Sequence, residues 1–540
     1  MRAPLTRRDF LRQSFVAGSA VAVGSFVGCA SGRGGPFDLL LRGGTLVDGT
    51  GAARRTADLA VRGDRIVAIG DLGAAPARSV LDVAGLVVAP GFVDAHAHTD
   101  LRRNARALSK LHQGVTTDVT GPDGGSAFPE REVDTPGERS CADFAAWQAQ
   151  HGPIAIDIGS YVGHGTLRRA VLGPVGRAPS ASELQRLQGL CTEAFAQGAL
   201  GLSSGLEYFP GNMAATDELV ALCEVAARFH RPYVTHIRNE DDKVLAAVDE
   251  AITIARRSGA SLLISHLKIG GSPNWPQLDR VLASIDGARQ EGLAVHADAY
   301  PYEAWSTSLA TNFPGWAKEG GQFVARLKDP AERARMRPET EHAVAANGGW
   351  GTLMLASGLA QADQVLLGRR LDEVAHERGQ EPFEVACELL TRGSVSILGF
   401  GIATADMDRI LTQPWCLIAS DGSGLTASGR TGHPRSFGAF PRAYRRYVRE
   451  LGTMSLETFV HKATAMPARV LGLADRGVLA EGRLASVVVF DPERFTDRAT
   501  WLEPQRYAEG VRFLLVNGAL AVADGVPTEA LVGRVVRRLG

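Results

Sequence analysis

Between about residue 90 and residue 471, short apolar runs alternate with longer amphipathic stretches, and this rhythm admits few architectures. The strand candidates are Ile154–Ile158, Gly201–Ser204, Tyr233–His236, Leu262–His266, Ala294–Asp298, Ser396–Leu398 and Leu417–Asp421. Amphipathic helices fall between them, for example Ser180–Gln197, Thr216–Phe229 and Lys243–Ser258. Strands that alternate with helices pair in parallel through crossover connections. A stretch of this length predicts an α/β fold, a closed (β/α)8 barrel of the TIM type. The 540 residues, 45% of them hydrophobic, suit such a barrel plus an accessory domain. From about 311 to 351 the rhythm breaks into a segment rich in Lys, Arg, Glu and Pro, which predicts a small insertion over the barrel mouth. The apolar run Leu353–Ala356 reads as the return to the barrel.

Both flanks look different. Phe37–Arg42, Thr45–Val47, Ala57–Val61 and Ile66–Ile69 are short strands, with Gly63-Asp64 as a hairpin turn between the last two. Ser486–Asp491 and Phe513–Gly518 repeat the pattern near the other end. The expectation is a small β-sandwich built from both chain ends, residues 37–89 and 472–540, around a barrel of residues 90–471.

Residues 1–36 read as a targeting segment and linker. Thr6-Arg7-Arg8-Asp9-Phe10-Leu11-Arg12 carries a twin-arginine signature, and Phe26-Val27-Gly28-Cys29 resembles a lipobox. The expected partners are the twin-arginine export machinery and, through a lipid anchor at Cys29, a membrane; the expected location is the periplasm or cell envelope. The apolar stretch Phe15–Val27 is shorter than the roughly 20 residues a spanning helix needs. Cys141, Cys191, Cys223, Cys387 and Cys416 are widely spread, with no Cys-x-x-Cys, and read as small buried hydrophobes outside any disulfide framework. A net charge of −1 without a basic patch argues against a nucleic-acid partner.

The chemistry lies where the apolar runs end. Leu86–Ala89 is broken by Pro90-Gly91, and the strand that follows closes in His96-Ala97-His98. Alternation of strand side chains sends both imidazoles to one side, half of a transition-metal site. Tyr233–Thr235 leads to His236, Leu262–Ser265 to His266, and Ile418–Ser420 to Asp421. All sit at strand C-termini, the face on which barrel enzymes build active sites.

These residues, together with Gly114–Thr117, Thr235–Glu240, Ser265–Lys268, Asp298–Tyr302, Ser420–Gly422 and His433–Arg442, resemble the amidohydrolase superfamily. Within it, the likeness is to the N-acyl-D-amino-acid deacylases, and it runs from about Phe37 to Val522. The resemblance implies a metal-dependent hydrolase that cleaves the amide of an N-acyl-D-amino acid to a carboxylate and a D-amino acid. It implies one or two divalent ions, foremost zinc, held by His96, His98, His236 and His266. Asp421 would serve as general base towards a metal-activated water and then as general acid. Lys268, Tyr300 and Ser306 would hold the substrate's free carboxylate. Lys268 also matches a rival role, the carboxylated lysine that bridges metals in cyclic-amide hydrolases.

One departure stands out. The deacylases carry Gly-Asn-Cys-Gly after the Gly-Val-Thr-Thr motif; this chain reads Gly121-Pro122-Asp123-Gly124. Asp123 in the thiolate's place is the expected fifth metal ligand, a harder donor able to bridge two ions. Asp118 is the alternative ligand, and a turn aspartate the alternative role. The segment Ser308–Phe313 has no arginine, which favours a neutral or apolar substrate side chain. The D configuration rests on the resemblance alone. A dipeptidase acting on D-configured C-terminal residues, a cyclic-amide hydrolase and a non-catalytic binding protein stay open as alternatives.

Overall fold

The computed structural model describes residues 36–130, 140–427 and 432–539; the twin-arginine motif and Cys29 lie outside them. Eight short strands follow one another through the middle of the chain. They are β1 (Phe92–Asp94), β2 (Val115–Thr120), β3 (Asp157–Ser160, continued by Val162–Gly163) and β4 (Leu202–Gly205). Then come β5 (Tyr233–His236), β6 (Leu262–Ile264), β7 (Val295–Ala299) and β8 (Cys416–Ile418). Each pairs in parallel with the next. Beyond β8, Gly422 bridges Ala97 in parallel, with Asp421 N–H donating to His96 O at 2.9 Å and His98 N–H to Gly422 O at 3.0 Å. These bonds join the last strand to the first in a ring.

The helices between strands follow the expected pattern. Ala181–Gln197 starts at a Ser180–Glu183 capping box and buries Leu187, Cys191, Ala194 and Phe195, an i, i+4, i+7, i+8 stripe. Val244–Ser258 ends at Gly259, whose φ of 75° is the left-handed turn that glycine adopts freely. All five described cysteines are free and buried.

The expected sandwich takes the form of one continuous nine-stranded sheet. Val87–Pro90 pairs antiparallel with Val487–Phe490 and so stitches the two chain ends together. Leu41, Leu59, Val61, Ile66, Val88, Val487, Val489 and Leu515 form its own core. The chain then returns to the barrel. Ile158 N–H donates to Arg534 O at 2.9 Å and Val536 N–H to Ile158 O at 2.7 Å. Val536 packs with Met466 and Leu471 against Val93, Val119, Leu263 and Leu417, filling the interior beneath the site.

The insertion is larger than its composition suggested. It runs from Ala304 to Phe400 and has a separate core of Leu309, Phe313, Met336, Leu371, Phe383 and Ile397. Ser396–Phe400 and Leu353–Ser357, expected as barrel strands, pair antiparallel with each other, and the former also with Ala304–Ser308. A run of four or five apolar residues looks the same in a parallel barrel strand and in a buried antiparallel one. The barrel resumes only at β8.

Candidate metal centre

The strand ends converge as their sequence positions imply. His96 and His98 follow β1, His236 closes β5, His266 lies two residues beyond β6, and Asp421 follows β8. Asp123 comes from the loop after β2. Asp123, His266 and Asp421 all have positive φ (55°, 34° and 49°). Aspartate tolerates that conformation; for histidine it is costly, the kind of strain that accumulates at functional sites.

Asp123 sits at the middle of this group. Its Oδ2 is 3.4 Å from both His96 Nε2 and His98 Nε2, and its Oδ1 is 3.4 Å from His266 Nε2. His236 Nδ1 is 3.0 Å from His266 Nε2. Asp421 Oδ1 lies 2.9 Å from His98 Nε2 and 3.5 Å from His96 Nε2. Two ligands bound to one tetrahedral ion at 2.0–2.2 Å sit about 3.3–3.6 Å apart. Most of these separations match that edge and are long for hydrogen bonds. His96 Nε2 and Asp123 Oδ1 are buried without a hydrogen-bond partner. Besides a group of Glu207, His236 and Glu240, the residues therefore fit a divalent metal in two groups that share Asp123, His96/His98/Asp123/Asp421 and Asp123/His236/His266. Each oxygen of Asp123 faces one of them.

Carboxylates back three of the four histidines. Asp298 lies 3.2 Å from His96 Nδ1, Glu240 3.0 Å from His266 Nδ1, and Glu207 3.1 Å from His236 Nε2. Such partners fix the ring so that its other nitrogen faces a metal. Burial alone would push the His96 and His266 pKa values down. Asp298, Asp123 and Asp421 outweigh it at His96, which is raised; Glu240 and Asp123 outweigh both burial and Lys268 at His266, which is raised to about 9. Burial opposes ionisation of Asp421, yet Arg435 at 2.6 Å, followed by His96 and His98, holds its carboxyl far below the usual range. Among the described residues, Asp123, Asp298, Glu207, Glu240 and Asp421 face only two fixed cations, Lys268 and Arg435. The raised pKa values of His96 and His266 show a field that favours positive charge, which a divalent ion would supply.

The amidohydrolase family model matches residues 79–522. The D-aminoacylase of Alcaligenes xylosoxydans xylosoxydans is 38% identical over 518 residues, covering 93% of this chain and 98% of that protein. The chain belongs to the amidohydrolase family. The crystal structure of N-acyl-D-glutamate deacylase from Bordetella bronchiseptica, complexed with zinc and a phosphonate inhibitor, superposes with a TM-score of 0.80 at 37% identity, covering 93% of this chain and 100% of that one. A D-aminoacylase structure described for its binuclear metal centre matches over the same shares with a TM-score of 0.81 at 36% identity.

In this amidohydrolase the metal-facing groups open into a cleft of about 340 Å³. Lys268, Tyr300 and Ser306 line it, with Trp305, Thr307, Thr311, Asn312 and Asn347 from the insertion. Tyr300 Oη is buried there without a hydrogen-bond partner, and Arg435 Nη1 is ion-paired with Asp421 Oδ2. The guanidinium of Arg435 stacks 4.8 Å above the Tyr300 ring. Lys268 Nζ is 2.6 Å from Glu240 Oε2 and 2.9 Å from His266 Nδ1, so its ammonium is ion-paired beside the ring of His266.

Asp118 is not in the metal-facing group. Lys110, fully buried, reaches Asp94 Oδ2 at 2.6 Å, Ser420 Oγ at 3.0 Å and Asp118 Oδ1 at 3.2 Å. Asp94 Oδ1 accepts the N–H of Ser420 at 3.0 Å and of His96 at 3.3 Å. This network ties the ends of β1 and β8 together. Strand alternation turns Asp118 away from Thr117 and Val119 and into Lys110, which removes it as a ligand. Four functional neighbours carry no assignment from sequence: Glu207, Glu240, Asp298 and Arg435. Asp298 has the same signal as the histidines, a charged residue closing an apolar strand.

Proposed function

We propose that the amidohydrolase cleaves N-acyl-D-amino acids to a carboxylate and a free D-amino acid, using one or two divalent ions, foremost zinc. The carrying observation is the juxtaposition, within one cleft, of a histidine–aspartate cluster and buried donors suited to a carboxylate. His96, His98, Asp123, His236 and His266 would hold the metal. When bound, a divalent ion acidifies a water and polarises the amide carbonyl. Asp421, kept ionised by Arg435, accepts the proton of the attacking water and returns it to the leaving nitrogen as the C–N bond breaks. Lys268, Tyr300, Ser306 and Arg435 provide charge and N–H or O–H donors for the α-carboxylate. Pairing of Lys268 with Glu240 favours its role as a fixed cation over a carboxylated bridge. Among the described residues, the cleft's lining offers a substrate side chain no further lysine or arginine, which supports neutral side chains. The relatives described above support the D configuration.

The test is incubation of the zinc-loaded protein with racemic N-acetyl amino acids and with dipeptides, followed by chiral analysis. Free D-amino acids from the acetylated pool are expected. Release from dipeptides alone, or release of L-amino acids, refutes the reading. Export by the twin-arginine route, with lipidation at Cys29, is proposed from the sequence motifs. Fractionation of cells expressing the full chain and an Arg7→Lys/Arg8→Lys variant tests it: the variant is expected to stay in the cytoplasm.

A further inference from the structure

Glu240 has a carboxylate with two close charged neighbours, a more distant third in His236 at 3.9 Å, and a fixed backbone. Its Oε2 is 2.6 Å from Lys268 Nζ and its Oε1 is 3.0 Å from His266 Nδ1. Its N–H donates to Glu207 Oε1 at 3.3 Å and its carbonyl accepts from Gly270 N–H at 2.7 Å. Lys268 and His266 are each 3% exposed, so water competes little for either contact. Lys268 Nζ and His266 Nδ1 are themselves 2.9 Å apart. A lysine in that position can turn a neutral imidazole the wrong way, by donating to Nδ1 and leaving the proton on Nε2. Glu240 opposes this. Its Oε1 has no hydrogen-bond partner in the structure and lies 3.0 Å from Nδ1; a proton held between them leaves the Nε2 lone pair facing Asp123 Oδ1 at 3.4 Å. Its Oε2 meanwhile takes up one N–H of the ammonium.

Building on the proposed activity, we infer that Glu240 is a shared positioning residue: one carboxylate sets the metal-facing tautomer of His266 and the placement of the Lys268 ammonium that receives the substrate carboxylate. The metal site and the carboxylate clamp therefore rest on one anchor. Glu207 differs, because its side chain ion-pairs with His236 alone among the described residues.

The experiment compares Glu240→Gln, Glu240→Asp and Glu207→Gln with the wild type, each checked for native circular dichroism. Zinc affinity is measured by competition with a chromogenic chelator, without substrate. Kinetics are measured on an N-acetyl-D-amino acid and on the same compound with its carboxylate converted to a carboxamide. Glu240→Gln, whose amide has one oxygen for two donors, is expected to bind zinc about 10–100-fold more weakly. It should also raise KM at least tenfold for the carboxylate substrate at saturating zinc, and much less for the carboxamide. Glu240→Asp, one methylene shorter, reaches only one partner and should lose at least one of the two properties. Glu207→Gln should weaken zinc binding while leaving KM at saturating zinc within about threefold. Wild-type zinc affinity in both Glu240 variants, or an equal KM increase for carboxylate and carboxamide substrates, overturns the inference. If the wild type cleaves no N-acyl-D-amino acid, the proposed activity fails, and the zinc measurement still judges Glu240's hold on His266.

Discussion

Replacing Lys110 by Met tests whether the salt-bridge network under the site holds the barrel closed. Methionine nearly matches the lysine stem and removes only the ammonium, leaving Asp94 and Asp118, both 0% exposed, without a cation. Removing one partner of a buried ion pair costs about 3–5 kcal/mol, a large share of a typical domain's stability of about 5–15 kcal/mol. The deficit should depend on pH. Burial, opposed by Lys110 and reinforced by Asp94, raises the Asp118 carboxyl to about 6. A carboxyl whose folded pKa exceeds its unfolded value costs stability above the folded pKa, and that cost is relieved as pH falls from about 6 towards 4. Without Lys110 the Asp118 pKa rises further, so protonation removes one of the two uncompensated charges. Urea unfolding followed by tryptophan fluorescence should show Lys110→Met about 3–5 kcal/mol less stable at pH 7.5 and about half as impaired at pH 5.5. Adding Asp118→Asn should recover at least about 1.5 kcal/mol at pH 7.5, from the charge it removes. A deficit under about 1 kcal/mol, or one that neither low pH nor Asp118→Asn reduces, would refute the reasoning.

Asp421→Asn should lower turnover about 10²–10⁴-fold while metal content by mass spectrometry stays at the wild-type level. Asp123→Ala should lose bound metal, because the one carboxylate facing both ligand groups is gone; full metal content with full rate would remove it from the centre. Burial, aided by Arg289 and Arg469, depresses His296 to about 4. Its stabilising contribution is thus complete above about pH 6.5 and lost as pH falls from 6.5 to 4. Over that window, thermal unfolding of the wild type should lose about 2 kcal/mol more than His296→Gln, after allowance for partial exposure.

Those parts of the molecule that repeat, or that end abruptly, are the ones legible in the sequence. Strand β5 and the helices after β3, β4 and β5 can be read to within a residue or two, because their apolar spacing and caps are local. The ligand candidates stand out for a related reason: packing alone seldom calls for a histidine or aspartate at the close of an apolar run. Ser396–Phe400 defeats such a reading because its partners, Ala304–Ser308 and Leu353–Ser357, are fixed by the packing of a separate core. Glu240 and Glu207 give no local sign, since their roles arise only from distances across strands. Glu240 lies four residues beyond His236, yet its carboxylate serves His266 and Lys268.

The stitching of Val87–Pro90 to Val487–Phe490, and of Ile158 to Arg534 and Val536, constrains how the protein assembles. About four hundred residues separate the first pair, so on a ribosome the edge of Val87–Pro90 that meets Val487–Phe490 stays open through most of synthesis. Such long-range closure makes folding slow and leaves strand edges exposed in the interval. A nascent chain stalled before residue 487 would hold every metal ligand proposed here, from His96 to His266, and the base Asp421, yet lack the strand that closes the sheet and Val536 of the packing beneath the barrel. Completion of the catalytic unit is thereby timed by the last strands to be made, which touch none of the chemistry.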